Sequence, residues 1–162
     1  MEKLIEKIST YNLFNYLLPG VLFTIFAKYF LHVNLTQENV ILDIFLYYFI
    51  GLVVSRLGSL IVESSLKKVK FLKFAKYEDF IETSQVDSKI EIFSEANNMY
   101  RTFVAMFVLL LATKFYFYIQ TFYICLQKWS LHILIILLLV MFLYSYKKQT
   151  TYIFSRIYQI KK

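Results

Sequence analysis

Arg56 and Glu63 close an apolar run, residues 40–62, whose only other charge is Asp43. Seven residues are two turns of α-helix, so this spacing puts guanidinium and carboxylate on one face. Ionisable groups inside or at the rim of a membrane span are costly, and they often serve recognition or transport. Asn15, Asn97, Asn98 and Arg101 can approach them from neighbouring helices at the same end. A polar cluster of this kind can receive an anionic ligand, conduct an ion or gate an opening. The plainer alternative is that Arg56 snorkels to inner-leaflet phosphates while the others cap helices.

A second set of intramembrane charges, Lys28, Asp43 and Lys114, lies towards the other ends of the apolar runs. Antiparallel geometry levels Lys28 with Asp43, as in a structural pair tying a hairpin. Lys114 sits deeper and can snorkel towards a belt of Phe and Tyr. Lys67, Lys68, Lys70, Lys73 and Lys76 alternate with Val69, Phe71, Leu72, Phe74 and Tyr77. Basic residues interleaved with apolar ones beside a span suit anionic lipid headgroups, an account that outweighs direct nucleic-acid binding.

Other chemistries find little purchase. His32 and His132 have no carboxylate or cysteine companions at ligand spacing, so no metal site is expected. Cys125 is alone, which leaves no internal disulfide and reads as an apolar filler. With no Gly-rich phosphate loop, HExxH or GxSxG motif, the sequence points to no catalytic residues, no cofactor and no enzyme.

The elements that must position these groups are spans. Of 162 residues, 59% are hydrophobic, 20% are aromatic, and three glycines and one proline leave little for loops or a β-rich fold. Soluble domains sit nearer about 45–50% apolar. Four runs reach membrane-crossing length: residues 13–33, 40–62, 102–125 and 131–146. The expected fold is therefore all-α: one polytopic membrane domain over residues 1–162, a four-transmembrane-helix bundle. A helical cytoplasmic extension, residues 63–101, separates spans two and three, and a basic amphipathic tail comes last, at 147–162.

Local signals refine this plan. Residues 1–10 read as an amphipathic lead without a cleavage site, with Ser9 or Thr10 as a cap for the first helix. Pro19-Gly20 should kink or break that helix about one turn earlier. Gly51, Ser55, Ser59 and Gly58 form a small-residue stripe for close helix approach. The second helix should run on from Glu63 to Phe80. Two short polar helices are expected in the hydrophilic part, the second continuing into span three. A tight link at 127–130 then leads to a plain, lipid-facing fourth span, and the tail suits the membrane surface.

The +7 charge is unevenly placed. One side collects Lys3, Lys7, the lysines of 67–76, Lys89, Arg101, Lys147, Lys148, Arg156, Lys161 and Lys162, whereas the opposite links offer Lys128. The positive-inside rule then places both termini and the long middle loop in the cytoplasm, with the spans in a bacterial inner membrane.

Residues 12–23 (NLFNYLLPGVLF) and 97–103 (NNMYRTF) resemble segments of small four-span bacterial membrane proteins associated with anti-phage defence loci. The overall plan is also similar to the four-span membrane subunit of the Kiwa defence system. The resemblance carries no functional residues across. It implies a membrane-anchored interaction protein, a sensor or effector of defence working with a cytosolic partner. The contrasting expectation is an oligomeric channel or membrane-permeabilising protein with Arg56 or Lys114 along a pore. Either way a homo-oligomer is expected, because four thin helices shield these charges and the small-residue stripe poorly.

Overall fold

The computed structural model describes residues 12–160, and among these it contains helices and no strand. Helix α1 spans Leu13–Leu31, α2 Val40–Lys68, α3 Tyr77–Val86, α4 Lys89–Gln120 and α5 Ile124–Ile160. Four of them, all but α3, are long and apolar enough to cross a membrane. The lead at 1–10 with its Ser9 and Thr10 cap, and Lys161 and Lys162, lie outside the described residues.

Pro19 does not break α1. The turn before it, Leu13–Leu17, widens to i→i+5 pairing, with the Leu18 amide donating to the Leu13 carbonyl. One extra residue in the turn makes room for the ring and its missing donor, so the chain stays helical. α1 ends on a second wide turn, Ala27–Leu31. There His32 adopts a left-handed conformation (φ 56°) and the Val33 amide donates to the Ala27 carbonyl at 3.1 Å.

The short link back is held by its own polar side chains. Asn39 caps α2, its Oδ1 accepting from the Ile41 amide at 2.9 Å. Asp43 Oδ1 accepts from the Gln37 amide at 2.7 Å.

α1 and α2 touch through backbone. A Cβ on Gly20 would lie 1.7 Å from the Tyr47 carbonyl oxygen, and one on Gly51 would lie 1.7 Å from that of Tyr16. No other residue fits at either position, and this is how helices associate in lipid, where apolar burial alone does not drive them together. The small-residue stripe of α2 serves two neighbours: Gly51 faces α1, while Gly58 lies against Arg101 and Ala105 of α4. The core joins Ala27 and Leu31 of α1, Val54 of α2, and Ala105, Met106 and Leu110 of α4. α5 lies outside it, with Met141 its buried apolar anchor.

Three boundaries differ from the sequence expectation. α2 stops at Lys68 instead of running to Phe80: Lys70 turns left-handed (φ 59°), and the Phe71 and Lys70 amides close back on the Leu66 and Lys67 carbonyls. Stopping there lets Leu72 and Phe74 fold back over α2 and α4, which a straight basic helix would forbid. The turn between α4 and α5 falls at residues 121–123, not 127–130. Ser130 is accommodated inside α5 because its hydroxyl donates to the Leu126 and Gln127 carbonyls. The basic tail is not a separate surface helix: through residue 160 it continues α5. The two polar helices between α2 and the third span are present as α3 and the first part of α4.

Candidate functional site

Glu63 is the centre of charge. It is 7% exposed, near the end of α2, and every ion pair among the described residues involves it. Arg101 Nη1 of α4 donates to its Oε2 at 2.6 Å. Lys67 Nζ, one turn along α2, donates to Oε1 at 2.9 Å. Lys148 Nζ of α5 stands 3.7 Å from Oε1 and donates to the Ser59 carbonyl and hydroxyl at 2.9 and 2.8 Å. One carboxylate thus draws three helices together. Three cations around one anion leave a local surplus of positive charge, and Arg101 Nε is buried without a partner.

Aromatic contacts extend the cluster. Lys67 Nζ lies 4.0 Å above the Phe74 ring, which anchors the returning loop. Tyr152 of α5 stacks on Tyr77 of α3 with centroids 5.2 Å apart, tying α3 to the same end. Beside the Phe74 contact lies a small cavity of about 160 Å³ between α2, the returning loop and α4, lined by Glu63, Leu66, Phe71, Phe74, Asn97 and Arg101 among others.

Arg56 is not part of this group. The turn Gly58–Val62 is widened, the Glu63 amide donating to the Gly58 carbonyl. Inserting one residue rotates the remainder of the helix by about 100°, so the seven-residue spacing no longer keeps Arg56 and Glu63 on one face. Glu63 turns to α4. Arg56 instead donates from Nη2 to the Tyr16 hydroxyl at 3.4 Å and lines a cleft with Ser59, Ser145, Lys148, Gln149 and Tyr152.

The amide residues also divide. Asn97 lines the Glu63 cavity. Asn98 supplies a carbonyl to the Thr102 hydroxyl at 2.8 Å, and that hydroxyl lies 3.4 Å from Ser55 Oγ of α2. Asn15 is 1% exposed in α1, and its Oδ1 has no hydrogen-bond donor. The residues that sequence reasoning missed are Lys148 and Ser59. Lys148 is hidden inside a tail that looks like a surface helix, and its signal is its position about half a turn beyond Tyr146, the last residue of span four.

At the opposite end, Lys28 and Asp43 do not pair; Asp43 Oδ1 accepts from the Gln37 amide instead. Lys114 Nζ donates to the Phe30 carbonyl at 3.1 Å and sits 5.3 Å from its ring, holding the C-terminal end of α1. Of the basic segment, Lys67 is committed to Glu63, while Lys68, Lys70, Lys73 and Lys76 are exposed. No protein-family model, curated protein or solved structure matches the chain.

Proposed function

We propose that the protein is a membrane-anchored interaction protein, a sensor or effector component of a bacterial anti-phage defence system. In this reading it sits in the inner membrane with its termini and residues 63–101 in the cytoplasm, assembles as a homo-oligomer and works with a cytosolic partner. The observation that carries it is the junction at Glu63. The loop 69–76 and α3 rest on the ion cluster that joins α2, α4 and α5, so a protein pressing on them presses on all three. The same part exposes large apolar side chains available to a partner: Val86 at 88%, Phe71 at 76% and Phe93 at 69%. Arg56 and Lys114, the charges a pore would need along its wall, are engaged with Tyr16 and the Phe30 carbonyl, which favours the interaction reading over a channel.

The test places a photo-crosslinker at Val86 or Phe93 in cells carrying the native locus. A discrete heteromeric adduct, lost with protection against phage when residues 81–99 are replaced by a neutral linker, supports the proposal. Adducts with itself alone, together with ion flux in liposomes abolished by Arg56→Ala and Lys114→Ala, would replace it by a pore. A cysteine at Thr36 that reacts only from the cytosol would overturn the orientation.

A further inference from the structure

Between α2 and α5 the structure leaves a groove of about 520 Å³, walled by Val53, Leu57 and Leu60 on one side and Leu137, Met141 and Tyr144 on the other. That is within the size range of small-ligand sites, about 300–1,000 Å³. It lies in the apolar part of two spans, so the solvent at its mouth is hydrocarbon. At its basic end the groove runs into the Arg56 cleft, with Leu60 lining both and Tyr144 followed directly by Ser145. There the walls change to Arg56, Ser59, Ser145, Lys148, Gln149 and Tyr152. An apolar channel capped by two cations and several hydrogen-bonding groups has the polarity profile of one molecule class.

We propose that this groove and cleft form a binding site for one anionic phospholipid, an acyl chain lying along the groove and the phosphate between Arg56 and Lys148. Charge selects this occupant. The cleft is lined by Arg56 and Lys148 and by no carboxylate, the nearest being Glu63 Oε1 at 3.7 Å from Lys148 Nζ, and Ser145 Oγ is buried without a partner. A phosphate would balance the excess and accept from that hydroxyl. An apolar span of a second copy would fill the groove but brings no free carboxylate to the cations at that depth. The acids on the four membrane-crossing helices' apolar stretches are Asp43, at the opposite end, and Glu63, already enclosed. The site requires that the apolar helices cross a membrane and is independent of any protein partner.

The experiment is native mass spectrometry of the full chain in micelles doped with phosphatidylglycerol or phosphatidylcholine. One phosphatidylglycerol should stay bound after phosphatidylcholine has dissociated. Arg56→Gln and Lys148→Gln should each reduce its retention about fivefold, the share of one basic residue facing an anionic headgroup. Arg56→Lys should restore it, and Leu137→Trp, which fills the groove from an exposed wall, should release the lipid with the charges intact. Should Lys148→Gln unfold the protein, Arg56→Gln decides alone, because Arg56 stands outside the Glu63 cluster. Equal retention of the two lipids, or retention indifferent to Arg56→Gln and Leu137→Trp, would overturn the proposal. So would displacement by millimolar inorganic phosphate, which assigns the cleft to a free anion. Loss of a dimer in Leu137→Trp with lipid retention unchanged would likewise overturn it, giving the groove to a second copy.

Discussion

The α1–α2 pair and the attachment of α5 are two different answers to one problem. Apolar side chains gain nothing by leaving lipid for each other, so helices in a bilayer need another reason to stay together. α1 and α2 use absence: glycines at 20 and 51 let the Tyr16 and Tyr47 carbonyls approach where side chains would stand. α5 buries little of its length: besides Met141 and a Phe49–Phe142 ring contact, its ties to α2 are those of Lys148 on Ser59 and Glu63. The first joint is distributed and rigid. The second is concentrated in a few contacts, and it leaves a groove beside it.

That contrast can be broken in several places. Glu63→Gln keeps the shape but leaves three cations unopposed, and should cost about 4 kcal/mol, as removing one member of a buried ion pair does. Reversible unfolding in mixed micelles measures it. Gly51→Ala places a methyl on the Tyr16 carbonyl and should cost about 3 kcal/mol, the upper end for overpacking. Disulfide trapping between cysteines on α1 and α2 should slow in that variant, while trapping between α2 and α5 stays unchanged. Lys148→Met should cost about 2 kcal/mol and raise amide exchange in the second half of α5 without touching α1. Thr102→Val removes a single interhelical hydroxyl contact and should cost about 0.6 kcal/mol. Finally, the Gly51→Ala and Lys148→Met losses should add to within about 0.5 kcal/mol, because the two joints share no partner. A larger coupling would mean that they are one joint.

The spans were legible because a run of about 20 apolar residues has few other uses, and the small-residue stripe of α2 announced its own purpose. The site was half legible. Glu63 and Arg101 stand out as charges at a span's rim, and Asn97 belongs at the same height. Arg56 groups with Glu63 when turns are counted, and one widened turn at Gly58–Val62 undoes that count. Nothing in the residues Gly-Ser-Leu-Ile-Val marks such a turn, since an extra residue costs little where neighbours fit around it. The end of α2 at Lys68 was hidden for a related reason. Lysine and phenylalanine alternate equally well on a helix or on a returning loop, and only the contacts that Leu72 and Phe74 make on folding back decide. The turn at 121–123 has neither glycine nor proline to mark it.

α4 is a single rod of 32 residues gripped near its middle, at Arg101, by the carboxylate of α2. Counting rise along its axis, the arm from Lys89 to that grip is about 18 Å and the arm from the grip to Gln120 about 28 Å. Beyond that grip the rod is clamped again, by Ala105, Met106 and Leu110 in the core and by Lys114 on the Phe30 carbonyl. The shorter arm precedes those contacts, so a force applied near Lys89 meets the Arg101–Glu63 pair before it reaches the core.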